Sequence, residues 1–314
     1  MKACKIKSKF THQFKVGIVG CGNVGAATAH AILMEGSPTE LVLMDRTKSK
    51  AEGLLLDFDH SMSFFDYTKV TATDDAEEIK DADLIIVTAG ARQKEGETRL
   101  DLVEKNKAIF ADLIPELVDA SPDAIFLIVS NPVDILTYEA WKLSGLPKNR
   151  VFGTGTMLDS ARLQFHISER LCLSPKSIDA YVLGEHGDTS FPVWSTANVA
   201  GKPLLEMEGF DEAVAGKAYE DTREAAYRII NDLGYTCYSI STVVVNIMQH
   251  LLQHSRVVLP LSTVLEGEYG HEGLAISVPC VLDSDGVSGI IEIPLNEGEK
   301  AQLAHSVDTL KALL

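Results

Sequence analysis

His186 stands between glycines in Gly184-Glu185-His186-Gly187-Asp188, a setting that lets a short strained loop present an imidazole. Histidine suits a group that gives and takes a proton, because its ordinary pKa lies near physiological pH. The chain has nine histidines, and this loop context sets one of them apart. Asp159 and Arg162 lie three positions apart in a stretch of helical periodicity, so both project from one face. Two readings are open for that pair. One is a local salt bridge. The other divides the work: Asp159 orients the imidazole and stabilises its cation, while Arg162 holds a carboxylate in a planar, two-pronged contact.

Gly20-Cys21-Gly22-Asn23-Val24-Gly25 fits GxGxxG, directly after one predicted strand and at the start of a predicted helix. Gly20, Gly22 and Gly25 would permit a tight turn, close approach of backbone to a pyrophosphate and close helix–strand packing. The helix N-terminus adds free N–H groups and a partial positive charge. Asp45 lies 20 residues beyond Gly25, at the end of the second predicted strand, where a carboxylate can accept from a ribose diol and repel a 2′-phosphate. Its other reading is a solvent-facing charge, and neighbouring Arg46 works against the preference for NAD over NADP. The polar run from Gly90 to Arg99 follows another predicted strand end, where open α/β sheets bind ligands. It reads as a solvated loop or a mobile lid. Asn131 follows Val129-Ser130 at a further strand end, placed to orient an imidazole or a carbonyl.

These groups have to be positioned by an α/β scaffold. Phe14–Val19, Leu41–Met44, Leu84–Thr88 and Ala124–Val129 read as buried parallel strands, and Asn23–Glu35 and Leu100–Ala120 as helices, the latter kinked or broken at Pro115. Beyond about residue 155 the pattern becomes mixed α+β. Helices are expected at Leu158–Arg170, Asp211–Leu233, Ser239–His254 and from Asn296, with Ile178–Leu183 and Phe191–Val193 as an antiparallel pair. Val257–Leu265, Ala275–Leu282 and Ser288–Ile293 read as further strands. The fold class is therefore a Rossmann-type doubly wound parallel sheet followed by a mixed α+β catalytic domain. The expected division is 1–155, carrying a short N-terminal extension over 1–13, and 156–314.

The 314 residues carry a formal net charge of −17, which argues against nucleic-acid and anionic-membrane partners. An anionic substrate therefore needs local cations. Five scattered cysteines without CxxC spacing suit free thiols in a cytoplasm, and no metal site is expected. The first nine residues are basic without an apolar core, and no apolar run is long enough to span a bilayer.

Taken together, GCGNVG with Asp45, TAGARQKEGETRLDLVEKN, VSNPVDILTY, GTGTMLDSARLQF and GEHGDTSFPVW resemble the L-lactate/malate dehydrogenases over nearly the whole chain, the lactate branch in particular. A weaker match surrounds LGYTCYSIS. The resemblance implies His186 as acid/base, Asp159 as its partner, Arg162 as the carboxylate clamp and Arg99 as the lid residue that polarises the carbonyl. It places Asn131 beside the carbonyl oxygen and the nicotinamide, and Thr236 near the substrate side chain. NAD is the implied cofactor, contacted by Gly20, Gly22, Val24, Gly25, Asp45, Lys50, Gly90, Ala91, Val129 and Asn131. It further implies a homotetramer, and a helix after Thr236 that packs back toward the cofactor domain.

Gln93, six residues before Arg99, stands where malate dehydrogenases of this family carry an arginine for the second carboxylate of oxaloacetate. A neutral amide there leaves that charge unpaired, which is costly when buried, although Lys94 is a nearby cation. The resemblance thus points to pyruvate and L-lactate. Malate, longer 2-hydroxy acids and a non-catalytic NAD-binding role are the alternatives. Some bacterial relatives respond to fructose 1,6-bisphosphate through an arginine and a histidine. Gln164 and Asp179 occupy those positions here, so no activation by that sugar phosphate is expected.

Overall fold

The computed structural model describes residues 14–66, 68–91 and 99–314, Arg99 by its backbone alone. The expected N-terminal extension and the run from Arg92 to Thr98, with Gln93 and Lys94, lie outside the described residues.

The chain opens with β1 (Lys15–Val19), α1 (Asn23–Glu35), β2 (Glu40–Met44), α2 (Lys48–Asp59), β3 (Lys69–Thr73) and β4 (Leu84–Val87). It continues through α3 (Arg99–Ala120), β5 (Ile125–Ile128), α4 (Val133–Ser144) and β6 (Val151–Gly153). These strands are parallel in the order β3-β2-β1-β4-β5-β6. β4 and β5 are buried along their whole length, as strands covered by helices on both faces must be. The strand order reverses between β1 and β4, and the loops leaving those two strands border the crevice where such sheets bind ligands.

The second half comprises α5 (Met157–Leu171), β7 (Val182–Leu183), β8 (Phe191–Pro192), β9 (Asn198–Val199), β10 (Lys202–Pro203), α6 (Glu212–Leu233) and α7 (Tyr238–Leu252). β11 (Val257–Glu266), β12 (Glu272–Asp283), β13 (Gly286–Ile290) and α8 (Glu297–Lys311) complete it. β11 joins β6 antiparallel through Ser262 and Gly153, so β11, β12 and β13 extend the parallel sheet to nine strands. One apolar core consequently runs through both halves, from Ile18 and Leu41 to Val244 and Ile276. α7 packs along α1, bringing the segment after Thr236 back against the glycine-turn helix.

Three sequence expectations are corrected. Pro115 does not break its helix, for α3 runs through it. A proline forfeits one helical hydrogen bond, whereas Phe110, Ile114 and Leu117, all fully buried, fix the helix on the sheet. Ile178–Leu183 is not one strand. Asp179 bridges to Asn198, and only Val182 and Leu183 pair with β8, so the ladder is divided between two partners. The last strand starts at Gly286 rather than Ser288, because a tight hairpin pairs Gly286 with Asp283. Gly286 has φ +98°, and a Cβ there would lie 1.8 Å from the Asn149 carbonyl oxygen.

Candidate active site

The glycine turn is shaped to hold a dinucleotide. Gly20 has φ +101°, and a Cβ on it would meet the Ala89 backbone at 2.6 Å. A Cβ on Gly25 would fall 1.9 Å from the Gly20 carbonyl oxygen. Gly22, by contrast, faces open space. It is also the N-cap of α1 and makes no side-chain cap, so the first N–H groups of that helix remain available to a phosphate. The Thr88 hydroxyl donates to the Gly20 carbonyl at 2.6 Å and ties the turn to the end of β4. Val24 packs against the core beneath the turn.

Asp45 follows β2 and faces the same turn. Its Oδ2 accepts the Cys21 N–H at 2.8 Å, its Oδ1 accepts the Thr47 N–H at 3.0 Å, and Lys50 Nζ lies 3.6 Å away. The carboxylate thus rigidifies the glycine turn before any ribose arrives. Burial, reinforced by the Asp45 charge, pushes the Cys21 thiol up to about 12, which keeps it an inert packing group. The described cysteines, Cys21, Cys172, Cys237 and Cys280, are all free.

α5 presents Asp159 in its first turn and Arg162 one turn later. The start of α5 is anchored by the Thr156 hydroxyl, which donates to the Val182 carbonyl at 2.5 Å. The loop after β7 carries His186. Gly184 enters that loop at φ +94°, where a Cβ would press on Ser306 Oγ at 2.6 Å and on the Phe191 ring. It exchanges two backbone hydrogen bonds with Ser277 of β12, each 3.1 Å. Glu185 is buried and accepts from the Thr189 hydroxyl at 2.5 Å. The loop is therefore braced on the sheet ahead of the histidine and closed on itself across it.

His186 Nδ1 lies 2.6 Å from Asp159 Oδ2, and Arg162 Nη1 lies 3.1 Å from Asp159 Oδ1. The local salt bridge and the imidazole–carboxylate contact thus coexist, the Asp159 carboxylate bridging guanidinium and imidazole. All three side chains are partly accessible, at 27% for His186, 15% for Asp159 and 12% for Arg162. Burial pulls the His186 pKa down, but the charge and hydrogen bond of Asp159, with a further contribution from Asp134, carry it above its ordinary 6.5. Arg162 acts the other way. Burial likewise disfavours the Asp159 anion, yet His186 and Arg162 together hold its carboxyl below the usual range.

Val129 is buried at the end of β5, and Asn131 is exposed just beyond it, before a cis bond to Pro132. The Asn106 amide of α3 donates to the Asn131 carbonyl at 2.8 Å, while its oxygen accepts the Ala91 N–H at 2.7 Å. A Cβ on Gly90 would touch the same oxygen at 3.4 Å. Sequence reasoning missed Asn106. A signal was present, since it sits three residues after Val103 and four before Phe110 on an otherwise apolar face. Asp134 was missed too, although it closes the NPVD run. Its Oδ2 accepts the His186 N–H at 2.7 Å. Thr236 is half-buried between α6 and α7. The Gln164 amide is committed to the Ala180 carbonyl at 3.2 Å, and the Asp179 carboxylate accepts from Asn198 at 3.2 Å. Among the described residues no cluster of His, Cys, Asp and Glu is arranged to hold a metal ion, and no helix is long and apolar enough to cross a membrane.

A dinucleotide turn at the switch point of a parallel sheet, in one chain with a bridged imidazole–carboxylate–guanidinium group, marks the class of nicotinamide-dependent dehydrogenases. Residues 14–153 match the NAD-binding domain of lactate/malate dehydrogenase, and residues 156–314 match that family's alpha/beta C-terminal domain. The L-lactate dehydrogenase of Halalkalibacterium halodurans is 42% identical over 297 residues, 95% of each chain. L-lactate dehydrogenase 1 of Staphylococcus aureus is 42% identical over 96% of each. The crystal structure of the minor L-lactate dehydrogenase of Enterococcus mundtii superposes with a TM-score of 0.92 at 41% identity, covering 96% of this chain and 97% of that one. The chain belongs to the lactate/malate dehydrogenase family. It is an NAD-dependent oxidoreductase.

Proposed function

We propose that this protein interconverts pyruvate and L-lactate, and that His186 is its acid/base. The observation that carries the reading is the 2.6 Å contact of His186 Nδ1 with an Asp159 carboxylate whose other oxygen faces Arg162. When bound, NADH supplies the hydride that reduces the carbonyl carbon. The protein supplies the proton, the grip and the field.

With Nδ1–H committed to Asp159, Nε2 is the nitrogen left to face a substrate. The protonated ring delivers its Nε2 proton to the carbonyl oxygen as negative charge builds there. In the reverse direction the neutral ring takes the proton from the lactate hydroxyl. A raised His186 pKa keeps the donor form populated near neutral pH. Arg162 pairs with the substrate carboxylate through its second edge, a local cation that overcomes the repulsion of a chain with net charge −17. Arg99, at the first position of α3, takes the carbonyl oxygen, and Asn131 lies beside it. The neutral Gln93 favours pyruvate over oxaloacetate, and Thr236 contacts the substrate methyl side.

Gly20, Gly22, Val24, Gly25, Asp45, Lys50, Gly90, Ala91, Val129 and Asn131 form the cofactor contact set of this reading. The division at residues 155 and 156, a cytoplasmic location and a homotetramer belong to the same proposal. Exposed apolar side chains on α2, α5 and α6, including Leu56, Phe165 and Ile230, support self-association. Gln164 and Asp179, an amide and a carboxylate with partners of their own, support activity independent of fructose 1,6-bisphosphate.

NADH oxidation with pyruvate, oxaloacetate and 2-oxoisocaproate tests the assignment. The highest kcat/KM is expected with pyruvate, with L-lactate as product. Preference for oxaloacetate would place the enzyme in the malate branch. No turnover with any of the three would leave an NAD-binding protein without this chemistry.

A further inference from the structure

Asp134 is 2% exposed, and among the described residues no lysine or arginine pairs with it. A carboxylate in such a place is costly unless its lone pairs are filled. Here they are filled from three directions. Oδ1 accepts from Ser262 Oγ at 2.6 Å and from Ser277 Oγ at 3.4 Å, hydroxyls that are fully buried on β11 and β12. Oδ2 accepts the His186 backbone N–H at 2.7 Å. Asp134 itself lies in the first turn of α4, three residues after Asn131.

We propose that Asp134 is a positioning residue for the reaction: it clamps the His186 backbone to the strand pair β11–β12 and to the helix that follows Asn131, so that proton donor and carbonyl-facing amide share one anchor. Asp159 fixes the ring and Asp134 fixes the main chain that carries it. Two constraints are needed because the loop enters through Gly184, whose φ of +94° gives the backbone freedom that a neighbouring side chain would otherwise remove. The β12 residue that contacts Asp134 also holds Gly184, for Ser277 exchanges both of its backbone hydrogen bonds with that glycine. Loop entry, histidine and carboxylate thus form one closed network.

The inference rests on His186 being the proton donor. A site misaligned by a fraction of an ångström loses rate in the chemical step while substrate still binds. Asp134→Asn keeps one carbonyl oxygen of the carboxylate's pair, and Ser262→Ala removes the hydroxyl that orients it. The test measures kcat, pyruvate KM and NADH Kd for both variants, with active sites counted by NADH titration, beside His186→Gln. The expected result is a kcat lowered about tenfold or more for Asp134→Asn and several-fold for Ser262→Ala, at unchanged NADH Kd and little-changed pyruvate KM. If Asp134→Asn does not fold, Ser262→Ala decides alone. Wild-type kcat per NADH site in the folded variants, with His186→Gln inactive, would overturn the inference and leave the proton donor standing. Full activity of His186→Gln would remove both.

Discussion

Asp159 sits between Arg162 and His186 and divides its two oxygens between them, Oδ1 at 3.1 Å from the guanidinium and Oδ2 at 2.6 Å from the imidazole. Side chains 27 positions apart in sequence are thereby held in direct contact. The proposed clamp and the proposed proton donor are coupled through a single carboxylate, and much of the expected behaviour follows from that.

Asp159→Asn removes the main charge that holds the His186 pKa above 6.5, leaving burial and Arg162 to pull it down against the smaller contribution of Asp134. Reduction of pyruvate uses the protonated ring, so its rate falls as pH rises through that pKa. Oxidation of lactate uses the neutral ring and rises over the same interval. The substitution should move the alkaline limb of pyruvate reduction to lower pH and lower kcat/KM by roughly 10²-fold at neutral pH. A pH profile of both proteins checks it.

The two ends of the glycine turn should respond differently to one added methyl group. Gly22 faces open space, so Gly22→Ala should keep its Tm while weakening NADH binding by about tenfold or more, some 1.4 kcal/mol. Gly25→Ala would set a Cβ 1.9 Å from the Gly20 carbonyl oxygen and should lose roughly 1–3 kcal/mol of stability. Thermal unfolding with and without NADH separates the two effects.

Four of the six parallel strands were legible because they are short, apolar and punctuated by turn residues, and Asn23–Glu35 is a helix with the bounds its periodicity gives. β3, a half-exposed edge strand, and β6, only three residues long, were not. What stayed hidden was the pairing of distant segments. Nothing local in Val257–Glu266 says that it will join β6 through a single pair of residues and merge two predicted domains into one sheet. The pair Asp159 and Arg162 was visible as helical spacing, and His186 as a loop histidine. Asn106 stood out as a polar residue on an apolar helix face, but its role and that of Asp134 were not legible, because a buried polar residue reveals its role only through its partners, which here lie 25 and 52 residues away.

Gln93→Arg should raise kcat/KM for oxaloacetate by at least about tenfold at the expense of pyruvate, the scale of a charge pair gained in a site closed to water. Comparing the two substrates for wild type and variant is sufficient. An unchanged ratio would remove Gln93 from the specificity argument.

Fructose 1,6-bisphosphate should leave the pyruvate KM unchanged. Asp179 would repel its phosphates, and the Gln164 amide is already engaged with Ala180. Saturation curves with and without the sugar phosphate read this directly, and a clear fall in KM would count against it.

The most direct measurement is the pyruvate reduction rate of His186→Gln, an uncharged side chain that cannot act as an acid near neutral pH. The prediction is a kcat/KM lower by about 10²–10⁴-fold at unchanged NADH Kd. A variant that reduces pyruvate at the wild-type rate would contradict the assignment of proton transfer to this residue.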